Sequence, residues 1–310
     1  MAETRVGLDI GEDAVRAVRV SAGLRGMEIV GCQVMPVSDG ADVEGALSKL
    51  LEEEAWREGT LITAVSARDC SFHRVRIPFR DRKKIARVLP MEMEHFLPPG
   101  EGERLHDFMV IGETDTTDLL GVSVPRERVA ERVTLLKAAG REAAIIDGGV
   151  LPLAVRLADL EKTGETTLYL HAHDSDWTAF LCREGRVIAV RSFFLAADAA
   201  RSGNPPGEFP GVEREDGSGW EEALFRQIRN TCLSLLWREE IPTLPGRALL
   251  GGPGAKRPGL TDGLARVLEM PVAAVDLALL ESIPMDDSVK ARWDPPEMNL
   301  ALALASRNFR

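Results

Sequence analysis

Cysteine is scarce and scattered. The four thiols, Cys32, Cys70, Cys182 and Cys232, stand far apart in the chain, so there is no CxxC pair and no zinc-ribbon spacing. A disulfide-stapled secreted scaffold would be smaller and richer in cysteine; buried free thiols are the expectation. No window reaches the roughly 18 apolar residues that a membrane helix needs. Met1 to Arg5 runs straight into a strand-like segment with no apolar signal core. Positive charge is in deficit. Against 49 Asp and Glu stand 38 Lys and Arg, leaving −11, which argues against nucleic-acid binding through Lys/Arg contacts to phosphate. There is no Gly-x-Ser-x-Gly elbow and no P-loop. Cys70 lies near His73 but has no orienting group in the sequence, and reads as packing.

The 310 residues are 45% hydrophobic and 28% charged, an ordinary globular composition. At roughly 100–200 residues per domain, the length suggests two. Arg5 to Gly11 is a short apolar strand ending in a glycine turn. Ala14 to Val20 alternates apolar and basic, the period of a half-exposed strand, and Met27 to Pro36 reads as a third. Val43 to Glu58 and Arg80 to Leu97 have helical spacing, the second stopped by Pro98-Pro99-Gly100. Leu61 to Ser66 is a buried strand, Asp107 to Gly112 and Leu119 to Pro125 a strand pair, and Arg126 to Ala139 a helix closed by Gly140. A second meander follows the Val150 to Leu160 helix: Thr166 to Leu170, Trp177 to Arg183 and Arg186 to Phe193. The chain thus holds two separate strand–turn–strand–turn–strand openings, each followed by helices, which suggests two related halves facing one another.

Further on, Ser202 to Gly219 is a Gly/Pro-rich loop, and Trp220 to Trp237 an amphipathic helix. Arg247 to Leu250 opens onto Gly251-Gly252-Pro253-Gly254. The last helix, Pro296 to Ser306, carries an unbroken apolar run from Leu300 to Ala305 and must be buried on more than one side. Trp177, Trp237, Phe193 and Phe194 are expected in the core.

The order and spacing of these segments resemble one family. Gly7-Leu8-Asp9-Ile10-Gly11 is similar to the first phosphate loop of the actin-like ATPase superfamily. Arg82 to Pro98, then Val122 to Pro125, Ala139-Gly140, Ile145-Ile146-Asp147 and Leu249-Leu250-Gly251-Gly252, resemble successive segments of the PilM/GspL family within it. The resemblance implies an α/β, actin-like (ribonuclease H-like) two-domain fold with a small inserted subdomain and a degenerate nucleotide cleft. Residues 1–150 would form domain I, with the insert at about 67–122. Residues 151–310 would form domain II, with a mobile loop at about 198–219 and a C-terminal helix 296–306 packing back towards domain I.

It also implies a function: a cytoplasmic scaffold at the inner membrane, linking a type II secretion or type IV pilus assembly ATPase (GspE/PilB-like) to a GspM- or PilN-like membrane partner. A homodimer is a further expectation, and a basic stretch, Arg80, Arg82, Lys83, Lys84 and Arg87, offers a docking patch. Ala305 to Arg310 resembles the junction where GspL-type chains continue towards a transmembrane helix, so a longer natural chain is expected.

The resemblance places a nucleotide site at Asp9 and Gly11 on one side and Gly251, Gly252 and Gly254 on the other. Asp9 would hold magnesium-bound water, and the glycines would let backbone N–H groups approach phosphate. Glu12-Asp13-Ala14 then replaces the usual Ser/Thr/Gly, adding charge that repels polyphosphate. The second loop should read Asp-x-Gly but reads His171-Ala172-His173-Asp174-Ser175-Asp176. No cofactor and no enzyme activity are therefore expected, with ATP/Mg binding in the manner of PilM as the alternative. The two histidines raise a metal site, but the neighbouring residues miss the His-x-His-x-Asp-His pattern, and a polar loop is the expectation. Lys256 and Arg257 are expected to be solvated.

Overall fold

The computed structural model describes residues 2–24, 26–37, 42–97, 102–161, 164–173, 176–194, 219–238 and 245–307. The 198–219 loop (Gly219 apart), Asp174, Ser175 and Asn308 to Arg310 lie outside these. Three antiparallel strands open the chain: β1 (Glu3–Ile10), β2 (Ala14–Gly23) and β3 (Gly26–Pro36). β4 (Thr60–Val65) and β8 (Ile145–Gly148) then add in parallel beside β1, giving the order β3-β2-β1-β4-β8. The same pattern recurs in β9 (Thr167–Ala172), β10 (Asp176–Arg183), β11 (Arg186–Phe194), β12 (Arg247–Gly251) and β13 (Val272–Ala274), ordered β11-β10-β9-β12-β13. The two sheets are topological copies, which is the architecture behind the repeated meander.

Between β4 and β8 sits a smaller sheet, β5 (Ser71–Ile77), β7 (Thr117–Pro125) and β6 (Arg104–Glu113), with α3 (Arg82–Glu94) packed on it through Ile85, Leu89 and Met93. β5 was not expected as a strand, although Val75 and Ile77 alternate with Arg74 and Arg76. The helix expected over 43–58 is two, α1 (Val43–Glu52) and α2 (Glu54–Arg57), because Glu53 adopts an extended conformation between them. α4 (Arg126–Ala138) follows β7, and α5 (Leu151–Leu160) leads to the second sheet. Beyond it come α6 (Gly219–Arg238), α7 (Leu260–Leu268), α8 (Leu277–Leu280), α9 (Asp287–Lys290) and α10 (Pro295–Ala305).

α10 is buried from Met298 to Ala305 and packs on β1, β2 and α5. Its contact with β1 is close enough that a Cβ on Gly7 would lie 2.0 Å from the Ala301 carbonyl oxygen; only glycine permits that approach. β2 is not half exposed as its alternation suggests. Val18 and Val20 face α10, while Val15 and Ala17 face Leu47 and Leu50 of α1. Arg16, on the α10 side, is 1% exposed. Trp177 is fully buried and Phe193 packs partly beneath it, but Trp237 (83% exposed) and Phe194 (56%) are not in the core. All four cysteines are buried and free.

Candidate functional site

Where β1 and β2 turn, the ends of β4, β9 and β10 and one side of α4 enclose a cleft of about 810 Å³. Asp9 and Gly11 line it, from the last residue but one of β1 and the turn after it. Gly11 N–H donates to the Ala14 carbonyl at 3.0 Å and so closes the turn on itself. The turn then returns as β2 and sets Arg16 opposite Asp9. Arg16 donates to Asp13 at 3.2 Å, to the Ala14 carbonyl at 3.3 Å and, through Nε, to Glu297 at the start of α10. Burial works against its charge, but hydrogen bonding to Asp13 and the charges of Asp9, Asp13 and Glu297 lift its pKa above the usual arginine value. Burial would raise Asp13; its hydrogen bond and ion pair with Arg16 prevail and hold it below the usual carboxylate range.

The facing loop comes from β9. His173 N–H donates to the Asp176 carbonyl at 2.8 Å. His171 is 4% exposed, and among the described residues neither of its ring nitrogens has a hydrogen-bond partner. Burial, reinforced by the charges of His173 and Arg16, pushes its pKa down to about 3, so it is a neutral imidazole. Among the described residues, no group of three or more His, Cys, Asp or Glu could hold a metal ion.

Gly251, Gly252 and Gly254 are not brought to the cleft wall. Their turn packs behind the second loop. Gly252 has φ +88°, and a Cβ there would lie 2.3 Å from the Ala172 carbonyl oxygen; one on Gly254 would lie 2.6 Å from that of His173. These two glycines permit backbone-to-backbone packing, and they approach protein carbonyls rather than an open pocket. Lys256 is not simply solvated: its Nζ donates to Asp294 at 2.7 Å and to Glu297 at 3.2 Å.

α4 forms a wall that the sequence reading did not include. Arg132 donates to the Ile10 carbonyl at 3.4 Å, and burial lowers its pKa. Arg128 pairs with Asp69 at 3.5 Å and Glu131 at 3.0 Å, while Arg68 pairs with Glu12. Glu127, Arg128, Glu131 and Arg132 are spaced i, i+1, i+4, i+5 along one side of a helix, the signal that could have marked it.

These residues fit a magnesium-bound triphosphate poorly. A Cβ on Gly11 would meet Asp13 Oδ1 at 2.7 Å and Arg16 Nη1 at 3.1 Å, so the space that a phosphate would use over that glycine already holds an internal ion pair. The second loop offers an imidazole in place of glycine N–H groups, and Lys256 is held by two carboxylates.

Away from the cleft, Lys83, Lys84 and Arg87 on α3 are exposed and have no ion-pair partner among the described residues. Arg82 lies 5.1 Å over the Phe108 ring, and Arg80 donates to the Thr114 carbonyl.

Two mixed sheets of matching topology, with a cleft between the turns that open them, define the actin-like ATPase fold, and the chain has that fold. Among solved structures it is similar to the PilM–PilN type IV pilus biogenesis complex, with TM-score 0.75 and 22% identity over 97% of each chain. It is also similar to the cytoplasmic domain of EpsL, an inner-membrane component of the Vibrio cholerae type II secretion system, with TM-score 0.55 and 11% identity over 99% of this chain and 97% of that one. A Bacteroides thetaiotaomicron protein of actin-like ATPase fold and unknown function matches with TM-score 0.52 and 8% identity, covering 88% and 91%. No protein-family model and no curated protein sequence matches the chain.

Proposed function

We propose that the chain is a cytoplasmic scaffold domain of an inner-membrane assembly platform for type IV pili or type II secretion. The observation that carries this reading is the likeness to PilM, in a complex with PilN, over 97% of both chains. On this reading one surface takes a PilN- or GspM-like membrane-anchored partner, and the unpaired cations of α3 take an acidic face of the assembly ATPase. Copies of the chain could also pair. The poor fit of the cleft to Mg-ATP supports a scaffold that works without hydrolysis.

The test is co-purification and titration with two probes: the cytoplasmic segment of the membrane-anchored partner and the N-terminal domain of the assembly ATPase. Affinities of about 1–50 μM are expected for a regulated platform. No binding of either probe at about 100 μM sinks the reading. Thermal unfolding with millimolar Mg-ATP separates the PilM-like alternative, because a ligand that binds the folded state must raise its stability; no shift is expected.

A further inference from the structure

The cleft is strongly acidic. Eight carboxylates line it against three arginines, a surplus of five negative charges when all are ionised. Its arginines are already engaged: Arg68 with Glu12, Arg128 with Asp69 and Glu131, and Arg132 with the Ile10 carbonyl. Arg16, behind the wall, is held by Asp13 and Glu297. Asp9 is 9% exposed and accepts no hydrogen bond among the described residues. A cavity with walls of one sign focuses its field inward and draws ions of the opposite sign.

Acidity alone does not make a site. The second observation is His171, 4% exposed, lining the same cavity, with both ring nitrogens unpartnered among the described residues. Buried polar groups are nearly always hydrogen-bonded, and leaving one unmade costs about 1–3 kcal/mol. A neutral imidazole can accept one hydrogen bond through its bare nitrogen and donate one through the other. The cleft therefore offers anionic oxygens and an imidazole, and although the charges of Arg16 and Arg132 act on Asp9, no hydrogen bond among the described residues reaches its carboxylate or the His171 ring nitrogens.

Three ligand classes meet this surface differently. A polyphosphate brings more negative charge and is repelled. A bare metal ion needs several ligands at fixed distances, and among the described residues no group of three could hold one. An alkylammonium or guanidinium group brings positive charge together with N–H donors, and can bond to carboxylates and an imidazole without a fixed polyhedron.

We propose that this cleft binds an organic cation, whose N–H groups donate to Asp9 and to His171 while the rim carboxylates of α4 supply attraction. The cation is either a free polyamine or a lysine or arginine side chain of a partner polypeptide. The proposal does not rest on the scaffold reading; partner co-purification can fail while cleft binding stands, and the reverse.

The test is calorimetric titration with spermidine and with the blocked peptide acetyl-Gly-Lys-Gly-amide, at low salt. At least one should bind with a dissociation constant of about 10 μM to 1 mM. Asp9→Asn should weaken it about tenfold or more, and Glu127→Gln, on the exposed rim, about two- to fivefold. Glu52→Gln, which removes the same charge on α1 away from the cleft, should leave affinity within about twofold. The His171 ring resonances should shift on titration. Tighter spermidine binding assigns a free polyamine, and tighter peptide binding a partner side chain. Absence of binding by both probes at about 10 mM overturns the proposal. So does affinity that Asp9→Asn and Glu127→Gln leave unchanged, which would be general attraction to an acidic surface. Because Glu127 is exposed, its variant keeps the test decisive even where Asp9→Asn folds poorly.

Discussion

Arg16 Nε donates to the carboxylate of Glu297, joining the second strand of the chain to the first turn of its last helix across 281 residues. Lys256 reaches the same carboxylate at 3.2 Å, so one side chain ties the first loop, α10 and the turn behind the second loop. Removing one partner of a buried pair leaves the other charge uncompensated. Glu297→Gln should cost about 2–4 kcal/mol, because Arg16 keeps Asp13, and lower the Tm by roughly 3–6 °C. Lys256→Met, at a half-exposed position, should cost less than about 1 kcal/mol. Thermal unfolding of the two variants checks the contrast, and equal losses would remove Glu297 from this role.

His171 makes stability depend on pH. Its folded-state pKa is about 3, against about 6.5 in an unfolded chain. Between these values the unfolded state binds a proton that the folded state does not. The contribution is therefore fully present above pH 6.5 and drains as pH falls, by at most about 1.4 kcal/mol per unit. Urea unfolding from pH 7 to 4.5 should show this slope, and His171→Gln should flatten it by one proton. An unchanged slope would mean that the imidazole protonates without cost in the folded state.

The glycine turn should prove structural. Gly252→Ala combines a left-handed backbone with a Cβ 2.3 Å from the Ala172 carbonyl oxygen, and should cost about 2–4 kcal/mol. Gly246→Ala, with only the Glu165 side chain 3.9 Å away and no left-handed backbone, should lie within about 1 kcal/mol of the parent. Denaturation midpoints of the pair measure the difference.

The first turn of α3 holds Arg82, Lys83 and Lys84 and no acidic residue, which sets three cations against the positive end of the helix dipole. Lys83→Glu and Lys84→Glu should each raise stability by about 0.3–1 kcal/mol, while weakening the proposed binding of an assembly ATPase by about tenfold. Stability rising with binding untouched would reduce the patch to a solvated helix face.

Burial pushes the Cys70 and Cys232 thiols up to about 12 and leaves few thiolates to react. Native protein should resist a thiol reagent at pH 8 and expose all four cysteines only on unfolding. A fast-reacting thiol in the native state would contradict this.

Most of the architecture was legible because period and punctuation agree: the two meanders and the apolar run of α10 each announce their element. β5 was missed because His73, Arg74 and Arg76 mask the Val75–Ile77 alternation. The site was less legible. Asp9 and Gly11 line the cleft as their motif suggests, but glycine in a sequence does not say which neighbour must come close, and for Gly252 it is the Ala172 carbonyl. Nor does a surface-like helix such as α4 declare that Arg132 bends inward. Trp237 stands exposed because its side of α6 faces away from the second sheet, which Ile228, Cys232, Leu235 and Leu236 cover instead.

The burial of α10 also sets an order of assembly. Arg5 donates to the Arg307 carbonyl across 302 residues, and Gly7 fits only against Ala301. β1 and β2 therefore cannot complete one of their two faces until nearly the whole described chain has been synthesised. At about 5–20 residues per second, the opening hairpin waits at least some fifteen seconds with Val18 and Val20 uncovered. Such long-range closure slows folding and prolongs exposure to aggregation. In a cell, the yield of this fold depends on what shelters the emerging hairpin until the last helix arrives.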